Sequence, residues 1–392
     1  MMRLLCTTML ITGMSYKLSI HPLDNKIAYV KGINDVKNLN KKTLDSLRKD
    51  FQKHPLLIFK DVKDVSPQIF LDFSKEFDLD ADLDALYSPM EYQHQMLQPF
   101  DQFPDCKHVA PRGSINLKNY YNIKDIDVEP YEPFKTDYIW HSDLLGHDYK
   151  LIHIVTGFYI VEQPLIGGDT DFISGERIYD NLNSEEKKAC ENILVEINRR
   201  KFVTGTMKQD YAGVNRLEPH SEMEEGTNEV PILFAPDDPE TESPRILVLP
   251  TFFERVNGWT VSKSRKWMKD FMTKKVLPFR ISIQWQKNDL AVFNNRRWIH
   301  SSTPANQYIK NDNGPTRFLM QTFIPTKKPM KAITPNPKNA YACYNTKWIN
   351  DQEVSIISAH NMIKFSDKII QNGACTNDNT YEYRTKPDST LF

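Results

Sequence analysis

Long apolar runs are missing from this chain of 392 residues. No stretch approaches the roughly 20 consecutive apolar residues that a bilayer-spanning helix needs, so no membrane association is expected. An excess of charge of one sign is missing too. Lys plus Arg number 50 against 51 Asp plus Glu, a formal net charge of −1. That balance argues against a protein whose main task is electrostatic binding of nucleic acid. Cysteine is scarce and scattered. Cys6, Cys106, Cys190, Cys343 and Cys375 are odd in number and form no C-x-x-C pair, so neither a zinc knuckle nor a disulfide framework is expected. No N-x-S/T sequon occurs, which suits a chain outside the secretory route, and a cytoplasmic location is expected. Glycine is low, at 14 residues, against 24 Pro, 17 Tyr and 21 Phe. This composition leans toward turn-rich β structure and away from a helical bundle.

What is present divides the chain unevenly. Residues 1–14 read as a frayed or non-native start, residues 15–325 as one domain, and residues 326–392 as a C-terminal extension of weak periodicity. Helices are expected at Lys41 to Lys53 and Pro67 to Phe77, with strands at Ile27 to Val30 and Leu56 to Phe59. Residues 88–136 are loop-like. Leu151 to Val161 is a strand run too apolar for an exposed edge, and Gly175 to Arg199 reads as helical. Residues 205–245 are polar and suggest a long insertion or lid. Arg245 to Leu249, Phe279 to Trp285, Leu290 to Phe293, Trp298 to Ser302 and Arg317 to Ile324 read as strands, with an amphipathic helix at Ser262 to Val276. Short, closely spaced strands point to a mainly β fold, a jelly roll of two facing sheets with flanking helices. The acidic run Asp78 to Asp84 is not a calcium loop. Leu83 stands where an EF-hand needs Gly, and Pro89 where it needs Glu.

The informative segment is Trp140-His141-Ser142-Asp143. On a strand, residues two apart point to one side, so His141 and Asp143 would aim an imidazole and a carboxylate at one place. A third ligand is needed, and His300, after the turn Asn294-Asn295-Arg296, is the best candidate. Two His and one carboxylate on one face of a metal leave the other face open, as in non-haem Fe(II) oxygenases. Arg317, on the next strand, offers a guanidinium fork able to clamp the far carboxylate of 2-oxoglutarate. His147 and His153 are alternatives. His147 adjoins Asp148, so their side chains diverge on a strand, and His153 sits in an apolar strand where a satisfied core histidine is the more common outcome.

Four ordered blocks resemble the TauD/TfdA-like family of Fe(II)/2-oxoglutarate-dependent dioxygenases. They are WHSD from Trp140, GGDTDFISGERIYDNL from Gly167, Pro239-Glu240-Thr241 with RILVLPTFFERVNGW to Trp259, and QWQKNDLAVFNNRRWIHSSTP from Gln284 followed by TRFLMQTFIP. The resemblance implies a double-stranded β-helix, Fe(II) bound by His141, Asp143 and His300, and a 2-oxoglutarate carboxylate held by Thr170 and Arg317, with O2 as oxidant. It implies a small-molecule substrate, no nucleic-acid or membrane partner, and allows a homo-oligomer. Family members acting on sulfonates often place a second Arg four residues after the first, where this chain has Gln321. A neutral amide does not replace a guanidinium, so taurine itself is in doubt unless Arg112, Arg296 or Arg297 compensates; a surface role is the default for these three. Gln321, Phe293 and Trp140 are candidate substrate contacts, and Trp285 and Trp298 candidate walls. A catalytically inactive jelly-roll scaffold is the alternative from another class. A zinc hydrolase ranks lower for want of an evident general base.

Overall fold

The computed structural model describes residues 16–83, 103, 105–106, 108–113, 138–143, 152–164, 167–198, 227–303 and 317–333. The expectations for 1–14, most of 88–136, all of 205–226 and everything after 333 lie outside the described residues.

In chain order the strands are β1 (Lys17–His21), β2 (Asp24–Lys31), β3 (Leu56–Phe59), β4 (Val109–Gly113), β5 (Val155–Glu162), β6 (Thr170–Ser174), β7 (Leu194–Asn198), β8 (Thr227–Pro231), β9 (Leu233–Phe234), β10 (Arg245–Ile246), β11 (Phe253–Val256), β12 (Ile281–Ile283), β13 (Leu290–Asn294), β14 (Trp298–Ser302) and β15 (Phe318–Ile324). The helices are α1 (Lys41–Lys53), α2 (Pro67–Lys75), α3 (Gly175–Asp180), α4 (Ser184–Cys190) and α5 (Val261–Phe271). A seven-stranded sheet runs β1-β2-β3-β13-β5-β15-β4, and three-stranded sheets run β12-β6-β14 and β11-β7-β8. The fold is mainly β, as expected.

Local chemistry explains the elements that position the site. Asn40 caps α1 by accepting from the Thr43 N–H at 2.9 Å, and the helix buries Leu47 and Phe51. Ser66 caps α2, Pro67 opens it, and Phe70 and Phe73 face the large sheet. Every residue of β3 and β13 is buried, so both strands read as unbroken apolar runs. Between the large sheet and β12-β6-β14 lies a shared core of Ile58, Phe158, Phe293 and Leu319 against Phe172, Ile281 and Trp298. The two sheets therefore face one another, in the manner of a jelly roll.

Several expectations need correction. Residues 88–136 are not all loop, because Val109–Gly113 forms β4, antiparallel to β15. Its Pro111 is tolerated since β4 is an edge strand. The helix expected over Gly175 to Arg199 breaks at a capping box on Asn183, and Val195 and Ile197 then alternate inward on β7. The second half of the expected polar insertion is core, with Val230, Ile232, Leu233 and Phe234 at most 1% exposed. Arg245 to Leu249 is strand only over Arg245–Ile246, and α5 passes into a π turn over Met272–Val276. The start of the C-terminal segment packs back, with bridges from Thr326 to Ala81 and from Ala332 to Phe234.

Arg296 and Arg297 are not surface residues. They are 0% and 1% exposed, at the turn between β13 and β14. Asp237 bridges Arg296 at 3.1 Å and Arg245 at 2.7 Å. Glu242 contacts Arg245 at 3.1 Å and Arg297 at 3.3 Å, and Glu176 pairs with both Arg297 and Lys26. Burial alone would raise the Asp237 carboxyl, yet the two guanidiniums hold it below the ordinary range. Arg296 also donates to the Ile152 carbonyl at 2.8 Å, fastening the turn to the segment before β5. Removing one member of a buried ion pair strands the other charge, at about 3–5 kcal/mol. Asp237→Ala is therefore expected to lower the stability read from denaturant unfolding by about that amount. A loss below about 1 kcal/mol would contradict this role for the network.

Candidate metal centre

His141, Asp143 and His300 converge: each offers a ligand atom within 4.8 Å of the others. His141 Nε2 lies 3.4 Å from Asp143 Oδ1, and His300 Nε2 lies 3.6 Å from Asp143 Oδ2. The expected strand at 140–143 is reduced to a single bridge. His141 and His300 exchange backbone hydrogen bonds of 3.0 and 2.7 Å, and Asp143 sits in the turn that follows. This bridge is how the fold closes the long sequence separation: the two histidines pair directly through their backbones.

Asn295, which the sequence offers only as a turn residue, holds the Asp143 backbone from both ends. Its Oδ1 accepts from the Asp143 N–H at 2.8 Å, and its Nδ2 donates to the Asp143 carbonyl at 2.9 Å. The Ser142 hydroxyl donates to the Asn295 carbonyl at 2.6 Å, and Ser301 Oγ accepts from the Ile139 N–H at 2.8 Å. Thr156 donates to Asp143 Oδ2 at 3.3 Å and contacts His153 Nε2 at 2.7 Å. His153 is thus a buried supporting group outside the cluster. His147 lies outside the described residues.

His141 Nδ1 lies 2.7 Å from the Ile139 carbonyl, which only an N–H can satisfy, so Nε2 is the nitrogen turned toward Asp143 and the one placed to bind a metal. Burial, with His141 and His153 nearby, pushes His300 down to about 3, against the opposing pull of Asp143. Burial would raise Asp143, but the neighbouring His300 and His141 outweigh it and hold its carboxyl well below the ordinary range. Near neutral pH, a carboxylate and the His300 imidazole in its neutral form thus face each other in a buried place. Two imidazole nitrogens and one carboxylate oxygen suit a non-haem ferrous ion, and the absence of thiolates disfavours a structural zinc site.

Thr170 begins β6, paired with Ser302 of β14 and Ile283 of β12. Its Oγ1 accepts from Trp285 Nε1 at 2.9 Å, leaving the hydroxyl proton to be donated elsewhere. Trp285 is therefore more than a wall. Arg317 stands just before β15, with its Nε buried and without a hydrogen-bond partner among the described residues. Burial lowers its guanidinium to about 10 against the opposing pull of Asp169, and it remains a cation near neutral pH. Gly168 has φ +74°, and a Cβ there would lie 3.1 Å from Arg317 Cδ. Only glycine both adopts that turn and leaves room for the arginine. Phe293 lies edge-on to His300 at 5.3 Å, with Phe172 at 5.9 Å and Phe158 at 6.5 Å from the same ring. Trp140 is fully buried and stacks on Tyr138 at 5.5 Å, within the core cluster of Ile173 and Ile299. Gln321 accepts a hydrogen bond from Arg112 Nε at 3.0 Å.

Comparison with known proteins agrees with this geometry. The profile of the family described as "Taurine catabolism dioxygenase TauD, TfdA family" matches residues 19–322. A Schizosaccharomyces pombe protein, provisionally assigned as an alpha-ketoglutarate-dependent sulfonate dioxygenase, is 28% identical over 167 residues, 42% of this chain. The match spans only 39% of that relative's length. A taurine dioxygenase from Burkholderia xenovorans superposes with a TM-score of 0.55 at 15% identity, over 88% of this chain and 98% of the other. AAD-2, solved with Mn(II) and N-oxalylglycine, gives a TM-score of 0.54 at 13% identity, over 81% and 99%. These two structures share the fold.

A metal that binds only the folded chain raises its stability by mass action, about 2.7 kcal/mol at a hundred-fold excess over Kd. Mn(II), a redox-quiet probe, is expected to raise the apparent Tm of the metal-free protein. Asp143→Ala and His300→Ala should lose that rise while keeping the wild-type far-UV circular dichroism. A full rise in both variants would place the metal elsewhere.

Proposed function

The chain belongs to the taurine catabolism dioxygenase TauD, TfdA family, and from that premise we propose an Fe(II)- and 2-oxoglutarate-dependent dioxygenase that hydroxylates a small anionic organic substrate. Sulfonates, sulfate esters and carboxylates are the substrate classes in view. The observation behind the proposal is the convergence of His141, Asp143 and His300 on one buried point. The sequence features noted above favour a cytoplasmic enzyme.

His141, Asp143 and His300 would hold the ferrous ion and leave part of its coordination sphere for other ligands. Ferrous iron with 2-oxoglutarate and O2 supplies the oxidation, coupling decarboxylation to succinate and CO2 with hydroxylation of the substrate. The chain's own share is holding and shielding. Thr170, its oxygen engaged by Trp285, would donate its proton to the distal carboxylate of 2-oxoglutarate. Arg317 would face the same carboxylate with its fork, and Gly168 leaves the room for it. Phe158, Phe172 and Phe293 surround His300 and keep bulk water from that side. The Thr156 and Asn295 contacts fix Asp143 so that its oxygens need not reorient on binding.

A charge-assisted hydrogen bond contributes roughly 1.5–3 kcal/mol, or about ten- to hundred-fold in binding. Wild-type protein given Fe(II) should release succinate from 2-oxoglutarate, most strongly with one member of a panel of sulfonates, sulfate esters and carboxylates. Arg317→Ala should raise the KM for 2-oxoglutarate by about that factor, with Arg317→Lys between the two. An unchanged KM in Arg317→Ala would remove this residue from the co-substrate site.

A further inference from the structure

His153 lies just before β5 and is fully buried, yet its ring is bonded at one nitrogen only. Nε2 lies 2.7 Å from Thr156 Oγ1, while Nδ1 has no hydrogen-bond partner among the described residues. The chain on either side of this histidine is tied to the turn that carries Asn295. The Ile154 carbonyl accepts from the Asn295 N–H at 2.7 Å, and the Ile152 carbonyl from Arg296 Nε at 2.8 Å. Phe323 of β15 stacks on the His153 ring at 4.6 Å. Thr156, also fully buried, stands opposite that Phe323 in the pairing of β5 with β15. Two residues on, Phe158 points to the same side of β5, and its ring neighbours His300. Thr156 thus faces the metal cluster, with His153 behind it.

The direction of each hydrogen bond follows from what each atom can give. Thr156 has one hydroxyl proton, and the ionised Asp143 beside it only accepts. A hydroxyl oxygen turned toward a buried carboxylate would repel it, so the proton goes to Asp143 Oδ2, at 3.3 Å. Thr156 Oγ1 must then accept from His153, which puts the imidazole proton on Nε2 and leaves Nδ1 bare. A bare Nδ1 suits its surroundings, because no described acceptor stands there for an N–H. Burial pushes His153 down to about 3 against the opposing pull of Asp143, so near neutral pH the ring carries a single N–H.

We propose that His153 is a positioning residue: through Thr156 it keeps a hydroxyl proton on Asp143 Oδ2 and so restricts Asp143 to Oδ1 as its metal ligand. This rests on the dioxygenase reading above. Both oxygens lie at the cluster, Oδ1 3.4 Å from His141 Nε2 and Oδ2 3.6 Å from His300 Nε2, so both are within reach of one cation. A carboxylate can offer a cation one oxygen or two. With two, Asp143 would fill a coordination position that a chelating co-substrate needs. The Thr156 hydrogen bond makes Oδ2 the poorer donor and holds the carboxylate against turning. Without the His153 N–H, the hydroxyl is free to rotate away and that restraint is lost.

The test uses the full chain. Metal binding is read from the rise in apparent Tm with Mn(II), and co-substrate binding from anaerobic titration of the Fe(II) protein with 2-oxoglutarate, followed by the visible charge-transfer band. Thr156→Val, which keeps the shape without the hydroxyl, should retain the Mn(II) rise in full while the Kd for 2-oxoglutarate grows about ten-fold or more, the worth of a hydrogen bond to a charged group. His153→Leu should behave alike, as should His153→Phe, which keeps the stacking on Phe323. His153→Gln, whose amide N–H replaces that of Nε2, should bring the Kd back to within about three-fold of wild type. The double variant His153→Leu with Thr156→Val should be no weaker than Thr156→Val, since both substitutions remove one contact. Loss of the Mn(II) rise in Thr156→Val overturns the proposal, because the pair would then only hold the site together. An unchanged Kd in Thr156→Val overturns it too, as do losses that multiply in the double variant or a His153→Gln no better than His153→Leu. Wild-type Fe(II) protein that gives no band with 2-oxoglutarate overturns the dioxygenase reading itself.

Discussion

A buried carboxylate stands against the ring nitrogens of two histidines, one of them the neutral imidazole of His300, and the rest of the site is arranged around that electrostatic demand. Asp143 is nearly enclosed, and His300 at 3.6 Å is pushed down to about 3 by burial and its histidine neighbours. His141 turns its own Nε2 inward because Nδ1 is engaged by the Ile139 carbonyl. Donor atoms held together in this way repel one another unless something positive stands among them. A divalent cation meets that demand with all three ligands already oriented, which lowers the entropic cost of binding it.

Holding such a cluster requires rigid surroundings, and the chain supplies them with two kinds of contact. Neutral hydrogen bonds act nearest the site: Asn295 pairs with the Asp143 backbone in both directions, and Thr156 reaches the carboxylate itself. Ionic contacts act one step away. Arg296 and Arg297 follow Asn295 directly and are tied to Asp237, Glu242 and Glu176. The turn between β13 and β14 is thus fastened by charges from distant parts of the chain. His300, on β14, inherits that rigidity. The arrangement keeps formal charges paired and places neutral donors where the metal's own charge would otherwise be opposed.

How much was legible in the sequence depends on whether the signal is local. α1 runs over Lys41–Lys53 as its pattern predicts, and the apolar run Leu56–Phe59 is a buried strand. The meeting of His141, Asp143 and His300 was readable from residue chemistry, although the strand that was to align the first two is a lone bridge followed by a turn. Thr170 and its place beside Trp285 could not be read without the family resemblance, because a strand threonine carries no mark of its partner. β4 was hidden by Pro111 and a polar context, since only its pairing with β15 makes it a strand. From sequence β7 reads as helix because Leu194 and Ile197 fit helical spacing as well as strand pairing, and tertiary contacts decide between them. Arg296 and Arg297 looked like surface charge because their acidic partners lie far away in sequence. Arg112 illustrates the same limit: only the register between β4 and β15 brings it to Gln321.

Visible absorption under anaerobic conditions tests the metal centre most directly. Adding 2-oxoglutarate to the Fe(II)-loaded protein should give a metal-to-ligand charge-transfer band that saturates near equimolar co-substrate. The band should be missing from Asp143→Ala and His300→Ala. A wild-type protein that binds Fe(II) yet shows no band, or a band that survives in both variants, would contradict a ferrous centre built from His141, Asp143 and His300.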